Sequence, residues 1–465
     1  MDNRLAGVVL SDALRQRIQS GAEPTRPRKA VRSRRILLTC VAAALTLVFG
    51  IGAAAGAFPY FERFIFRMGE DVRPLVQPLG QVSIAQGIRM EVLAAVHDGD
   101  TAIVYLALTD ETAGNRIDTG TDILHIDMGD GGMAHAMQVD FDTDTGTAVF
   151  RVESSSFGQE NFSGRPVTLT IHAILTGVTQ QDNLATGLTV ADIAAANPQP
   201  SLVYEAPTGG FGVNYGANEQ TADALADAID TATFPLLAQN SAPLAAQNPA
   251  WASISAAAVI NNMLHIQFIP NGDTGLYGYT DFYLSAPGTA EDSYENQLAG
   301  AEVSRGGTTE VGPRTYSEYR EQIIELPAGV PYEDLAISVR GQSCTARING
   351  GWQAHFTLDD KPPQLTTAPL NLDLNGWTVD HITVSPIGTT AFAHGEQTAQ
   401  SQFLNIRVFL KDGSEVKSHS VSMSGSNSNE IVSKISFTRP ISLDDIDHLV
   451  VNGAVVSLLP QPEAP

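Results

Sequence analysis

The string most like a metal site is Asp140-Phe141-Asp142-Thr143-Asp144-Thr145-Gly146, in which three carboxylates alternate with uncharged residues. Carboxylates at that spacing make up the first half of a calcium loop, where hard oxygen ligands surround a hard cation. The second half does not follow: the twelfth position requires a bidentate Glu and holds Arg151, and Gly146 falls one residue late for the sharp turn. Alternating Asp on the solvent face of a hairpin is the ordinary reading, and no metal ligands are assigned. His125, Asp127, Asp130 and His135 surround the Gly129 to Gly132 stretch. They would meet only at a turn, and a polar hairpin tip accounts for them.

Nucleophilic catalysis has no frame here. The chain has no Gly-x-Ser-x-Gly elbow, and Cys344 has no neighbouring His in sequence to activate it. A phosphate-binding loop is absent, and Gly129 to Gly132 is followed by neither a helix nor a Lys. Only two cysteines occur, Cys40 and Cys344, with no Cys-x-x-Cys pair for zinc. The 51 carboxylates make close acid pairs inevitable, so spacing alone cannot mark a glycosidase pair. No enzyme and no cofactor is expected. Trp251, Trp352 and Trp377 sit near module ends, where packing is the ordinary role of so large a side chain.

The elements that would position such residues are strands. Leu404, Ile406, Val408 and Leu410 alternate with Asn405 and Arg407, and Val167, Leu169, Ile171 and Ala173 alternate with Thr168, Thr170 and His172. Leu264, Ile266 and Phe268 likewise alternate with His265 and Gln267. Period two is the mark of a half-buried strand. Asp98-Gly99, Asn261-Asn262 and Asp412-Gly413 punctuate these runs as hairpin turns, favouring antiparallel sandwiches. The pattern repeats: Val92 to Leu108, Ile254 to Phe268 and Ile382 to Leu410 each read strand, turn, strand, the last with a longer polar insertion. Phe150 to Ile174, Ile323 to Val339 and Ile435 to Val451 close the three units. The expected fold is mainly β, with about three immunoglobulin-like antiparallel β-sandwich modules at 81–176, 251–361 and 362–465. Residues 177–250, rich in Ala, Gln and Pro, read as a linker with short helices at Val190 to Ala195 and Ala222 to Ile229.

Charge divides the chain differently. Residues 1–35 carry nine basic groups against three acidic ones, a net +6, so the overall −24 leaves −30 on the remainder. An acidic bulk repels phosphate backbones and excludes nucleic acid as its partner. From Ile36 to Phe61 there is no charged side chain. Its first 23 residues, 36–58, would extend about 35 Å as a helix against roughly 30 Å of hydrocarbon. One transmembrane helix is expected there, followed by a juxtamembrane linker at 59–80. The basic flank then places 1–35 in the cytoplasm and the C-terminal bulk outside the cell membrane. Ala55-Gly56-Ala57 before Phe58 is the competing signal, a cleavage site.

In the N-terminal segment Ser11 can cap a helix that runs to about Gln19, where Leu10, Leu14 and Ile18 share one side with Arg15 and Arg17 beside them. A helix this short needs a docking partner to persist, or else remains a basic tail at the lipid surface.

Several stretches also resemble a known family. GIRMEVLAAVHDGDTAIVYLALTD (Gly87 to Asp110), WASISAAAVINNMLHIQF (Trp251 to Phe268), YSEYREQIIELP (Tyr316 to Pro327) and GGWQAHFTLD (Gly350 to Asp359) resemble the bacterial membrane proteins grouped as domain of unknown function 4179. ITVSPIGTT (Ile382 to Thr390) and ISLDDIDHLVVNG (Ile441 to Gly453) are similar to the immunoglobulin-like C-terminal modules that accompany it. The resemblance implies an anti-sigma-factor-like, single-pass protein of mostly Gram-positive bacteria, with an extracytoplasmic-function sigma factor as the partner at Leu10, Leu14 and Ile18 and an unknown exterior ligand. It supplies no catalytic residues. Better-defined anti-sigma factors have a larger cytoplasmic domain, commonly with a His/Cys zinc motif, where this chain has 35 residues. The alternative is a structural or adhesive envelope protein without signalling.

Overall fold

In the computed structural model of the chain, the alternating runs fold into antiparallel sheets arranged as modules, each with its own apolar core. The structure describes residues 76–112, 114–129, 133–156, 162–207, 211–214, 219–247, 249–271, 280–286, 289–293, 298–311, 314–359, 364–374, 376–395, 404–425 and 430–460. All of them belong to one compact unit, Gly52–Pro465. The 36–58 run lies outside the described residues, and among those described no helix is long and apolar enough to cross a membrane.

The first module opens with β1 (Gln77–Ala85), β2 (Ile88–His97), β3 (Thr101–Asp110), β4 (Asp122–Asp127), β5 (Met133–Asp142), β6 (Thr147–Ser155) and β7 (Pro166–Thr176). One sheet runs β1-β2-β3-β6-β5, while β4 and β7 lie in the facing sheet. Val104, Leu106, Phe150 and Val152 meet Leu169 and Ile171 between the layers. Burying such side chains contributes about 1.5–3 kcal/mol each, the main drive for the two sheets to close. An extra residue in β2 shifts the register between Val92 and Ala94, so Val92 and Ala95 both reach the core.

Residues 177–250 are built into the second module. It comprises β8 (Thr179–Thr189), α1 (Val190–Ala196), β9 (Leu202–Val203), β10 (Phe211–Asn214), α2 (Glu219–Asp230), β11 (Leu236–Leu237), β12 (Ala252–Ile260), β13 (Met263–Pro270), β14 (Thr280–Ala286), β15 (Thr289–Ser293), β16 (Gly300–Val311), β17 (Arg314–Glu325) and β18 (Ala336–Ser343). Its sheets run β10-β16-β17-β13-β12 and β15-β14-β18-β8. Thr189 and Asp192 form a capping box that starts α1. Leu225 and Ile229 of α2, four residues apart, pack on Val303 and Ile323 of the first sheet.

The strand β19 (Ala346–Thr357) departs from the expected grouping. Sequence proximity groups it with 251–361, yet it pairs with β7 along its length, from Ala346 opposite Thr176 to Thr357 opposite Pro166. The reason is its apolar face: Ile348, Trp352, Ala354 and Phe356 complete the first module's core, and Trp352 Nε1 donates to Ile88 O at 2.8 Å. The second module is therefore an insertion between two neighbouring strands of the first. Thr176 faces Ala346 and Thr179 faces Ser343, so the ribbon β7–β8 against β18–β19 passes between modules without changing register.

That crossing is tightly packed. Val178 N donates to Gly120 O at 2.7 Å, and Thr345 donates twice to Thr176 O, from N and Oγ1, both at 2.9 Å. The Asp118 carboxylate accepts from Gly177 N at 3.1 Å, Gly120 N at 3.0 Å and Thr121 Oγ1 at 3.0 Å. Buried Cys344 packs with Ala173 and Leu175 beneath the crossing.

The third module has β20 (Leu365–Thr367), β21 (Leu372–Asp373), β22 (Trp377–Ser385), β23 (Gly388–Gly395), β24 (Ile406–Leu410), β25 (Ser418–Gly425), β26 (Glu430–Phe437), β27 (Ile446–Val451), β28 (Ala454–Val456) and β29 (Leu458–Pro460). Its sheets run β25-β26-β23-β22-β20-β29, with β21 also on β22, and β24-β27-β28. The repeat is real, but its third copy is shorter than expected. The hairpin closes between Ser385 and Gly388, and β24 leaves for the second sheet. Register shifts at Ile254/Ala256 and Val379/His381 reproduce the β2 bulge in β12 and β22, the first strands of the corresponding hairpins in the other two modules.

A polar seam joins the third module to the first. Lys434 of β26 forms an ion pair with Asp100 and donates to Thr101 Oγ1 at 2.7 Å. Ser385 Oγ donates to Asp98 Oδ2 at 2.9 Å, and Gln364 Nε2 donates to Asp98 O at 2.8 Å. Beside them Arg151 and Glu153 of β6 pair at 2.7 Å, and Glu153 accepts from Ser420 and Ser436.

The crossing yields a stability prediction. Gly177 has φ +57° and a Cβ there would lie 2.3 Å from Thr345 Oγ1, whereas Gly146 has φ +61° with nothing within 4 Å. Both Ala substitutions incur a left-handed penalty of about 1–2 kcal/mol, and Gly177→Ala should add an overpacking cost of about 1–3 kcal/mol. Urea unfolding of the two variants followed by circular dichroism measures the difference; equal midpoints would mean that the crossing yields freely.

Candidate functional site

Leu10, Leu14, Arg15, Arg17 and Ile18 lie outside the described residues. The DFDTDTG string forms the β5–β6 turn, where Asp142 Oδ1 accepts from Asp144 N at 2.7 Å and Thr145 N at 3.2 Å, and Asp140 Oδ1 accepts from Phe141 N at 3.0 Å. His125 and Asp127 are on β4 and His135 on β5, and Asp127 accepts from Gly129 N at 2.8 Å. Among the described residues no three His, Cys, Asp or Glu side chains form a group able to hold a metal. Trp352 and Trp377 are core residues, and Trp251 Nε1 donates to Thr280 Oγ1 at 3.0 Å.

Two polar constellations in the second module were not visible in the sequence. The first surrounds Glu321 of β17. Its Oε1 is 2.9 Å from His265 Nδ1 and its Oε2 2.7 Å from Arg305 Nη2, and Leu237 N donates to the carboxylate at 3.0 Å. Gln267 Nε2 donates to Leu237 O at 3.2 Å, while Gln267 Oε1 accepts from Ser255 Oγ at 2.9 Å and Asn240 N at 3.0 Å. A His held by a carboxylate is how many hydrolases orient a general base. Here the imidazole is wholly buried and stacked on Phe234, with ring centroids 5.6 Å apart, so substrate has no approach. The network acts as a fastening: it binds both peptide groups of Leu237 and holds the β9–β11 strap on the outer face of the sheet. His265 and Gln267 alternate with apolar residues as a solvent face does, and only the strap makes that face interior.

The second constellation is a cleft of about 300 Å³ where the two sheets separate, lined by Gly212, Asp281, Phe282, Leu298, Glu302 and Gln322 among others. Gln322 acts as a strand partner: its Oε1 accepts from Phe282 N at 2.7 Å and its Nε2 donates to Phe282 O at 2.8 Å. Asp281 accepts from Arg340 Nη2 at 2.6 Å, which leaves Glu302 as the other carboxyl of the cleft. Burial pushes the Glu302 carboxyl up, Arg320 opposes the shift and Asp281 adds to it. Gly212 lies opposite Glu302 in register, and a Cβ there would meet nothing within 4 Å, so the cleft is open at that point. The described residues that line it include no Ser, Cys, His or Lys. The geometry suits hydrogen-bond donors or a cation, and offers no nucleophile with its base.

No protein-family model matches the chain, and no curated protein matches it. Among solved structures it is similar to the conserved domain protein from Bacillus anthracis, with a TM-score of 0.31 and 9% identity over 83% of this chain and 79% of that one. A likeness at that level carries no argument about fold or function. The family resemblance rests on the strand and turn motifs alone.

Breaking the Glu321 network should be costly. Glu321→Leu removes the buried carboxylate at 2.7 Å and leaves Arg305 only the half-exposed Glu205 at 3.0 Å, an expected loss of about 3 kcal/mol, and adding Arg305→Met should recover a large part of it. Urea unfolding of the single and double variants measures this. A double variant no more stable than Glu321→Leu would show that the charge pair is not the source of the cost.

Proposed function

We propose that the chain is a single-pass membrane protein, an anti-sigma-factor-like envelope sensor whose exterior β modules signal to a cytoplasmic partner and perform no catalysis. The observation that supports this is the order of charge and fold. A +6 leader precedes the charge-free 36–61 run, and the acidic remainder follows as β modules. Positive charge on one flank orients such a run with its leader inside. In this reading the β modules are immunoglobulin-like sandwiches, the second module's cleft takes the exterior ligand, and Leu10, Leu14 and Ile18 meet an extracytoplasmic-function sigma factor.

Protease added to intact protoplasts should digest the β modules and leave a small fragment containing residues 1–35. A secreted form beginning at Phe58 would show a cleaved signal instead. Replacing Leu14 and Ile18 with Asp should raise transcription from the partner's promoters while the protein stays at its normal membrane level. Unchanged transcription would favour an adhesive or structural role.

A further inference from the structure

The seam between the first and third modules contains an unequal number of charges. Asp98 and Asp100 stand two residues apart on the β2–β3 turn, and Lys434 of β26, ion-paired with Asp100, is the cation whose field reaches both. Asp98 is 4% exposed, and its oxygens accept from Thr101 N at 3.0 Å and Ser385 Oγ at 2.9 Å. Around them, Arg151 and Glu153 of β6 neutralise each other at 2.7 Å. His97 Nε2 lies 3.0 Å from the backbone oxygen of Asp359, and from β25 comes His419, whose pKa is lowered by burial and by Arg151. Two carboxylates and one ammonium leave a buried charge of −1 when all are ionised.

We propose that docking of the third module onto the first is coupled to uptake of one proton by the buried carboxyl of Asp98, which shares Lys434 with Asp100, so that this contact is tightest in acid and loosens towards neutral pH. The linkage belongs to the two modules and does not depend on where the N-terminal run resides. Desolvation pushes Asp98 up to about 6, and Lys434 only partly offsets it. Once undocked and in water, the same carboxyl returns to about 4. The docked state thus binds the proton more tightly, and docking weakens as pH rises through the window between those values. From pH 5 to 7.5 the contribution of Asp98 should lower the docking constant about tenfold, while His419, whose pKa is lowered at the seam, works in the opposite direction.

Nitroxide labels at Asp144→Cys and Ser414→Cys, in a Cys40→Ala, Cys344→Ala, His419→Gln background that removes both native thiols and the opposing imidazole, report the separation of the modules by electron–electron distance measurement. The full chain is held in lipid nanodiscs with enough urea to populate both states. The ratio of docked to undocked molecules is expected to drop about tenfold from pH 5 to 7.5. Asp98→Asn, which keeps an acceptor but cannot ionise, should hold the ratio constant. Lys434→Met should move the fall to higher pH, because the carboxyl pair then loses its cation; a purely structural lysine would lower docking equally at both pH values. In that background, a ratio that changes less than twofold with Asp98 and Lys434 intact overturns the proposal, as does an Asp98→Asn variant that keeps the same dependence or a Lys434→Met variant that lowers docking without moving the profile.

Discussion

The fold depends on the ribbon that carries the chain out of the first module and back. β7 and β19 are neighbours in one sheet, β8 and β18 in another, and the ladder keeps its register between Thr176/Ala346 and Thr179/Ser343. In the third module the equivalent strands, β27 and β28, are joined by Asn452 and Gly453 with φ +47° and +87°. A two-residue turn of left-handed residues is the ordinary way to close such a hairpin. The first module closes the same hairpin with the whole second module. Gly120, Gly177 and Asp118 are the local cost of that substitution, since two strands and a loop must pass within hydrogen-bonding distance of one another.

Once the modules are so arranged, their polar faces become interior, and charge decides how firmly each is held. In the second module the buried Glu321 is matched by Arg305, whose second carboxylate, Glu205, is half exposed to water, and both peptide groups of Leu237 are satisfied, so the buried charges beneath the strap balance. At the seam with the third module the balance fails by one charge, because Asp98 and Asp100 share Lys434. Similar strands and similar burial therefore produce one contact whose buried charges are matched and another that carries one carboxylate too many.

Much of this was legible in the sequence, and what was not has a physical cause. Period-two alternation located β7, β13 and β24, and the short helix expected at Val190 to Ala195 is α1. The repeat of strand, turn, strand was also visible. Its third copy was drawn too long because its turn is Pro386-Ile387, apolar residues that lack the Asp-Gly mark carried by other hairpins. The Gly350 to Asp359 motif, most of which lies in β19, falls by sequence within 251–361 but belongs to the first module, since a strand's own residues say which face is apolar and not which sheet will accept it. Burial of His265, Gln267 and Glu321 was illegible for a related reason. An alternating strand has one polar face, and whether water or a strap covers it is settled more than twenty residues away, at Leu237.

The insertion also orders the assembly. β7 cannot complete its sheet until β19 exists, and the separation between Thr176 and Ala346 is filled by a module with its own core. Closing a flexible loop of that length costs entropy that grows only with the logarithm of its length, yet it must be met before any contact rewards it. A second module that folds first removes most of that cost, because β8 and β18 bring Thr179 and Ser343 side by side and deliver β7 and β19 already in register. Long-range pairing in the first module thereby becomes a local event at the ribbon, and the core around Trp352 follows from the core around Phe268.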